Sequence, residues 1–256
     1  MNSIIGHTED YKVERVKRVE SFFDQAHNYL DRNGYDIRIR AETVARFLKQ
    51  RDFSSVLDVG CGDGSVSLPL LTAERHLTLL DVSSNMLAVA QSHVPQKLQD
   101  NVDLINSDFL QTSLRPESYD VVICIGVLAH VPAPVEVLSK VASILKPGGF
   151  LILQCTDSSH FVRRFIDRYH RGLRFIRPAL YMAAPLTNKG VLEMIEKQRF
   201  EVRARFCYSS GLPGFHRIFS QSTLYGMIRK IFGDCANNRN VWLGSENIYF
   251  LERPRS

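Results

Sequence analysis

The stretch that decides the fold is Val56-Leu57-Asp58-Val59-Gly60-Cys61-Gly62-Asp63-Gly64. Its apolar, β-branched first half is typical of a buried parallel strand, and the three alternate glycines indicate a tight turn. Glycine has no Cβ, so another molecule can approach the backbone of this turn closely. Behind the turn, Ser65 to Leu71 predicts the start of a helix, whose backbone N–H groups would converge where open α/β sheets bind ligands.

The spacing of the glycines distinguishes two kinds of ligand. A dinucleotide-binding fingerprint requires G-x-G-x-x-G/A, and counting from Gly60 puts Ser65 at the last position, so that fingerprint is not met. The pattern present is D-x-G-x-G-x-G with Asp58 inside the strand, and it resembles that of class I S-adenosylmethionine-dependent methyltransferases. A cofactor with an ammonium, a carboxylate and a sulfonium needs an acceptor and a bare backbone. The resemblance implies that Asp58, Gly60, Cys61 and Gly62 belong to the cofactor site.

Composition bounds the class of protein. The 256 residues, 45% hydrophobic and 23% charged, suffice for one substantial core in a single decorated domain. The five cysteines are odd in number and have no C-x-x-C spacing, which favours reduced core thiols over disulfides or a zinc site. No charged-then-apolar leader and no apolar run of about 18 residues is present, so we expect a cytoplasmic protein.

A second strand is predicted from Leu77 to Asp81 and ends in a carboxylate. Asp81 comes 17 positions after Gly64, where a Rossmann-like sheet places the acid that accepts both ribose hydroxyls. A helix then begins at Ser83, Ser84 or Asn85. The resemblance implies that Val82 and Met86 also contact the cofactor, with Met86 at the adenine. The alternative for Met86 is an ordinary core side chain.

Two further strands are predicted from Val102 to Asn106 and from Tyr119 to Ile125. The second is almost wholly apolar, as a strand covered on both faces should be, and belongs at the centre of the sheet. The resemblance adds three residues to the cofactor site. Asp108 would accept from the adenine amino group, Phe109 would cover the ring, and Ile125 would complete the wall. The alternative for Asp108 is a simple loop acid.

The segment from Gly126 to Pro132 follows this central strand, where many enzymes of the resembled fold meet their substrate. It lacks the N/D-P-P-Y/F tetrapeptide with which amino-methylating DNA enzymes stack a flipped base, so that activity is disfavoured. Its side chains offer no oxygen ligand, and we expect no metal. His130 is the best candidate for a catalytic base, because a free imidazole titrates near pH 6.5. The alternative is a histidine that bonds the local backbone.

The rest of the chain continues the alternation of strands and helices. Pro134 to Leu145 has an apolar helical stripe, and Lys146-Pro147-Gly148-Gly149 ends that helix before a strand from Phe150 to Cys155. A further helix and two strands are predicted at Asn188 to Gln198, Phe200 to Tyr208 and Asn247 to Leu251. The resemblance implies an α/β fold with a Rossmann-like seven-stranded sheet, order 3-2-1-4-5-7-6, strand seven antiparallel and helices on both faces.

The remaining segments decorate this sheet. We expect an N-terminal helical cap at residues 1–50 and a methyltransferase domain at 51–256, with lid insertions at about 156–186 and 210–244. In the cap, the aromatic stretch from Phe22 to Tyr29 resembles the one that folds over the cofactor, and the alternative is a packing helix. In the second insertion, Leu224, Tyr225, Ile228, Ile231 and Phe232 fall at helical spacing.

The segment from His160 to Arg177 is strongly basic. As a helix it would place Phe161, Phe165 and other apolar residues on one side and six arginines on the other. Residues 160–205 contain 11 Lys and Arg against 4 Asp and Glu, a net charge of +7. We expect a lid whose apolar face covers a small-molecule pocket and whose arginines face water. The alternative is weak contact of this helix with an anionic membrane surface.

These patterns together predict an S-adenosylmethionine-dependent methyltransferase that acts on an oxygen or nitrogen of a small, partly apolar molecule. The basic balance, +5 with a pI near 9.0, also permits an RNA or protein substrate, although no specific nucleic-acid partner is expected. A non-catalytic cofactor-binding regulator on the same scaffold is a further alternative. The sequence leaves the oligomeric state and the substrate open.

Overall fold

The protein is built on one seven-stranded mixed sheet. The computed structural model describes residues 26–165, 168, 184–210 and 215–255. The strands are β1 Ser55–Val59, β2 His76–Asp81, β3 Val102–Asn106, β4 Tyr119–Cys124, β5 Leu145–Thr156, β6 Glu201–Tyr208 and β7 Glu246–Glu252. The α-helices are α1 Ala26–Leu48, α2 Ser84–His93, α3 Pro134–Ile144, α4 Asn188–Lys197 and α5 Gln221–Phe232. Short 3-10 helices lie at Leu68–Leu70, Gln96–Asn101, Phe215–Arg217 and Val241–Leu243, and a hairpin pairs Gly233–Asp234 with Asn237–Asn238.

The strand order is β3-β2-β1-β4-β5-β7-β6, which confirms the predicted topology. Strands β1 to β5 pair in parallel, and β7 runs antiparallel to both of its neighbours. The chain leaves β1 towards β2 on one side and later returns to place β4 on the other. Such a switch point opens a crevice at the carboxyl ends of β1 and β4, where open α/β sheets bind ligands.

The sheet is covered on both faces, as its apolar strands predict. On one face, Val56 of β1 packs with side chains of α1 and α5, among them Ile39 and Ile228. On the other face, Leu57 packs with side chains of α3 and α4, among them Leu138. Successive strand residues point to opposite faces, so one short strand supports both cores. The second half of α1 is thus part of the main core, while the cap boundary at residue 50 stays a prediction.

The helix predicted from Ser65 to Leu71 is wrong. Only a 3-10 turn forms there, at Leu68–Leu70, with short-range bonds such as that from the Leu70 N–H to the Ser67 carbonyl at 2.9 Å. Pro69 has no N–H to donate to the Ser65 carbonyl, so a regular helix over these residues would lack that hydrogen bond. The turn after β1 therefore has no regular helix behind it.

For the basic segment, Arg164 and Arg168 are exposed as predicted, but the predicted apolar side is wrong where the structure describes it. Residues 161–165 are helical, but Phe161 and Phe165 are 55% and 66% exposed, whereas Arg163 lines the cavity below. Arg163 shares the cavity wall with the polar side chains of Gln154 and Thr156, beside which a charged neighbour is favoured over an aromatic one. Apart from Arg168, residues 166–177 lie outside the described part of the chain, as do Phe22 to Gln25 of the predicted aromatic stretch.

No helix among the described residues has both the length and the apolar character needed to cross a membrane. The five cysteines are free thiols, four of them buried, in agreement with the predicted core role. Burial raises the pKa of Cys124 to about 12, with the nearby Asp58 carboxylate acting in the same direction. That thiol therefore stays protonated and is a packing group rather than a nucleophile.

Candidate functional site

A cavity of about 350 Å³ lies at the carboxyl ends of β1, β2, β4 and β5. Its volume is within the range of small-molecule sites. All but one of the predicted site residues line it, namely Gly60, Cys61, Gly62, Asp81, Val82, Met86, Asp108, Phe109, Ile125 and His130. The exception is Asp58, which is buried in β1 and does not line the cavity. The structure thus brings residues from six separate segments of the sequence into one wall.

The glycine turn after β1 has two distinct steric demands. Gly60 and Gly62 have φ angles of +67° and +55°, in the left-handed region that favours glycine. A Cβ on Gly60 would lie 2.5 Å from Cγ2 of Val127, so packing within the protein requires glycine at that position. A Cβ on Gly62 would meet no atom within 4 Å. Because Gly62 lines the cavity, its bare backbone leaves room for a ligand.

Asp81 is fixed at the end of β2 by two backbone donors. Its Oδ2 accepts from the Gly62 N–H at 2.8 Å, and its Oδ1 accepts from the Ser83 N–H at 2.9 Å. A carboxylate can accept several hydrogen bonds at once, so ligand hydroxyls can add to these backbone donors. The hydroxyl of Ser83 caps α2 by accepting from the Met86 N–H at 3.2 Å, which sets Met86 into the cavity wall.

Asp58 is buried beneath the glycine turn, and its Oδ2 makes no hydrogen bond within the described residues. Burial raises the pKa of Asp58 from 3.8 to about 7. The nearby carboxylates of Asp81 and Asp63 raise the pKa further, and the Ser67 hydroxyl opposes them. A positively charged group above the turn would favour the ionised form of this carboxyl.

Asp108 and Phe109 lie in a loop that Lys140 of α3 holds in place. The Asp108 Oδ1 accepts from the Leu110 N–H at 2.7 Å, which shapes the turn. The Lys140 ammonium donates to the carbonyl oxygens of Phe109, Leu110 and Thr112 and lies 4.8 Å from the centroid of the Phe109 ring. Sequence reasoning missed Lys140, because its partners are backbone groups that leave no pattern in the sequence.

His130 lies in the loop after β4 and is half-buried in the cavity wall. Its backbone N–H donates to the Val127 carbonyl at 2.8 Å and so fixes the turn. The adjacent Ala129 carbonyl accepts from the Ala184 N–H at 2.7 Å, which ties the first insertion to this loop. These two backbone hydrogen bonds fix the loop that holds the imidazole at the cavity.

The remaining wall of the cavity includes polar residues that sequence reasoning missed, namely Arg40, Gln154, Thr156 and Arg163. Arg40 pairs with Asp36 at 2.6 Å, and a Cβ on Gly126 would lie 3.5 Å from its Nη1. Gln154 is visible in the sequence as a polar residue inside the apolar run of β5. The other three carry no such signal, since arginine and threonine are common on exposed helices and at strand ends.

The described residues contain no cluster of three or more His, Cys, Asp or Glu side chains able to hold a metal ion. S-adenosylmethionine, in contrast, fits the residues present. Its amino-acid part can approach Gly62, whose surroundings are open, and its ribose hydroxyls can reach Asp81. Met86 and Phe109 offer apolar surfaces to an adenine ring, and Asp108 lies in the same cavity wall.

Comparison with known proteins gives concordant results. The family model described as a methyltransferase domain matches residues 57–151. The chain is 31% identical over 166 residues to a ubiquinone biosynthesis O-methyltransferase of Xylella fastidiosa, in an alignment that spans 57% of this chain and 64% of that enzyme. It is 31% identical over 183 residues to the enzyme of the same name from Xanthomonas euvesicatoria, spanning 64% of this chain and 73% of that enzyme.

A solved structure is similar over a longer span. It is that of an S-adenosylmethionine-dependent methyltransferase from Thermotoga maritima, described as a possible histamine N-methyltransferase. The TM-score is 0.66 at 15% identity, and the alignment covers 93% of this chain and 99% of that one. At this identity the likeness concerns the fold alone.

Proposed function

Because the chain belongs to the class I S-adenosylmethionine-dependent methyltransferase family, we propose that it transfers a methyl group to an oxygen of a small, partly apolar molecule. The main support for this proposal is that the glycine turn, Asp81 and His130 all line one cavity. A concave, largely apolar cavity with a few polar groups in its wall is typical of small-molecule sites. The names of the two ubiquinone-biosynthesis relatives support an oxygen acceptor.

Different residues of the cavity bind the cofactor and the acceptor molecule. S-adenosylmethionine, when bound, supplies a methyl group on a positively charged sulfur. Gly62 and Asp81 hold and orient the cofactor, and the apolar wall around Leu128 and Val131 excludes water from the acceptor. His130 takes the proton from the acceptor hydroxyl at an imidazole nitrogen, because an oxygen nucleophile must lose its proton as the bond forms.

The decisive test is methyl transfer to small molecules of the source cell. Purified protein, cell extract and S-adenosylmethionine with an isotopically labelled methyl group are incubated together, and mass spectrometry identifies compounds that gain the label. We expect Asp81→Ala to lose one to three orders of magnitude in cofactor affinity by calorimetric titration, because hydrogen bonds to a charged group contribute about 1.5 to 3 kcal/mol each. The labelled product should fall with that affinity.

Asp103→Ala is the matched control, since Asp103 is an exposed acid of β3 that faces His76 outside the cavity. It should bind the cofactor and transfer the methyl group like the unaltered protein. Label that appears only in protein or RNA would contradict the proposed substrate class. Cofactor binding without any labelled product would instead favour a regulator on this scaffold.

We also propose that the protein makes weak contact with an anionic membrane surface through the exposed side of the first insertion. Phe161 and Phe165 project from residues 161–165, and the Trp242 ring, 68% exposed, stacks on Phe161 with centroids 6.3 Å apart. The exposed Arg164 and Arg168 lie on the same segment. Aromatic side chains beside arginines are typical of surfaces that lie at the interface of a membrane with acidic headgroups.

A further inference from the structure

Gln154 has a side-chain acceptor that no group in the described part of the chain uses. Its side chain is 3% exposed and lines the cavity from β5. The amide Nε2 donates to Oε2 of Glu246 at 3.1 Å. The amide Oε1 is buried and has no hydrogen-bond partner among the described residues. A buried acceptor without a donor is costly, so native structures retain one where something else supplies the donor.

Glu246 fixes which end of the amide is left over. Glu246 is 4% exposed, and in the antiparallel β5–β7 register it stands opposite Thr156. The Thr156 hydroxyl donates to the same Oε2 at 2.8 Å. An ionised carboxylate only accepts hydrogen bonds, so the Gln154 amide must turn its NH₂ group towards Glu246 and leave its oxygen on the other side.

The charges around Glu246 bear on this orientation. Burial raises the pKa of the Glu246 carboxyl, and the neighbouring Asp36 carboxylate raises it further. Arg40 and Arg163, both in the cavity wall, act in the opposite direction and favour the ionised form. The two arginines thereby support the carboxylate that orients Gln154.

We infer that Gln154 accepts a hydrogen bond from a hydroxyl group of the acceptor molecule, so that Gln154 is a specificity-determining residue and Glu246 a positioning residue. This inference rests on the proposed function. The hydroxyl in question is a second one, distinct from the oxygen that receives the methyl group. A molecule with a bare ring edge at this position leaves the Gln154 oxygen without a donor, and an ether oxygen opposes it with a lone pair.

Simple phenols test the inference by binding alone. Calorimetric titrations are made on the protein saturated with S-adenosylhomocysteine, with phenol, catechol and resorcinol as probes. In the unaltered protein we expect at least one of the two diols to bind about 10-fold more tightly than phenol. In Gln154→Met, which keeps the length of the side chain and removes its acceptor, diols and phenol should bind equally. The same change at the exposed Gln111, Gln111→Met, should leave the preference intact.

A second variant separates the inferred role of Gln154 from a loss of folded structure. Affinity for S-adenosylhomocysteine reports whether each variant keeps its structure. Glu246→Gln removes the charge that orients the amide, so about half of the molecules should turn the amide over. The diol preference should then fall from about 10-fold to about 5-fold, with the affinity for S-adenosylhomocysteine unchanged. A merely structural role of Glu246 would not move the ratio of the two probes.

The inference is overturned if neither diol is preferred by the unaltered protein, or if the preference persists in Gln154→Met. If Gln154→Met no longer binds S-adenosylhomocysteine, Glu246→Gln decides the matter by the same ratio. Failure of the proposed function has a different signature. The diol preference and its loss in Gln154→Met would then remain, while no extract component gains a methyl group.

Discussion

Asp58 is a carboxyl group that is costly to the fold in its charged form. Its pKa rises from 3.8 to about 7 on folding, because the side chain is buried in β1 beneath the glycine turn. The folded protein therefore binds this proton more tightly than the unfolded chain does. Its contribution to the free energy of unfolding is greatest at low pH, falls as the pH rises from about 3.8 to 7 and changes no further above that.

The residue-scale prediction is that Asp58→Asn stabilises the apo protein, and more so at high pH. We expect the gain in free energy of unfolding to be about 2 to 3 kcal/mol larger at pH 8 than at pH 5, measured by urea denaturation. Affinity for the cationic cofactor should fall at the same time. Asp52→Asn, at an exposed acid, should show no such pH dependence, and an equal gain for Asp58→Asn at both pH values would contradict the pKa.

The next prediction concerns the role of His130 as a general base. Once an acceptor is known, His130→Ala should lower kcat by about 100-fold to 10,000-fold with little change in KM, because a general base acts in the transition state. The acid limb of the pH dependence of kcat, which a general base produces, should disappear. His76→Ala, at an exposed histidine of β2, is the control. Near-normal turnover of His130→Ala would show that proximity suffices and that His130 is structural.

Residues of the site differ in how far the sequence could predict them. Gly60, Gly62 and Asp81 follow strand ends at fixed spacing, and the carboxyl ends of parallel strands meet at one edge of the sheet. Arg40 and Arg163 come from α1 and from the first insertion, where a basic side chain looks like any solvated one. Only the folded chain shows that their charges favour the ionised form of the buried Glu246.

At the scale of elements, the glycine turn predicts two different outcomes for the same substitution. Gly60→Ala should destabilise the protein, because its Cβ would lie 2.5 Å from Val127. Gly62→Ala should cost only about 1 to 2 kcal/mol of backbone strain, since its Cβ meets open space, yet weaken cofactor binding. Thermal denaturation and calorimetric titration on both variants measure the two effects, and Gly62→Ala with unchanged cofactor affinity would contradict the close approach.

Helices could be predicted where the hydrophobic period and the segment length agree. They could not be predicted where a single residue or the polarity of a neighbouring surface decides the outcome. α3 and α4 begin and end close to the expected residues, because a capping or proline start and an apolar stripe coincide. The segment behind the glycine turn has the composition of a helix, but it forms only a 3-10 turn, with Pro69 in place of one helical N–H donor. In residues 161–165 the helical period was right and the buried side was wrong, because periodicity does not state which face meets a polar wall.

At the scale of the molecule, the apolar strands predict a sheet covered on both sides, but local patterns do not contain the strand order. That order followed from the resemblance of the glycine stretch and the acid after the second strand to a known family. The placement of β7 between β5 and β6 depends on pairing across long sequence separations, such as Gln154 with Ile248, which no window of sequence reports.

The membrane proposal is tested on the whole molecule. In co-sedimentation with vesicles, we expect binding to anionic lipid at low salt, weaker binding at high salt and little binding to neutral lipid, because exposed arginines are screened by salt. Phe161→Ser combined with Trp242→Ser should reduce binding to anionic vesicles. Val202→Ser, at an exposed apolar residue of β6, is the control. Equal, negligible binding to both kinds of vesicle would refute the contact.

The position of β7 has a consequence for synthesis on the ribosome. β6 pairs only with β7 in the described sheet, and β7 is made about forty residues later, so β6 leaves the ribosome before β7 does. During that interval β5 also presents an open edge to the cytosol or to chaperones. Nascent chains stalled before residue 246 should therefore be sensitive to protease at β6, and become resistant once β7 has emerged.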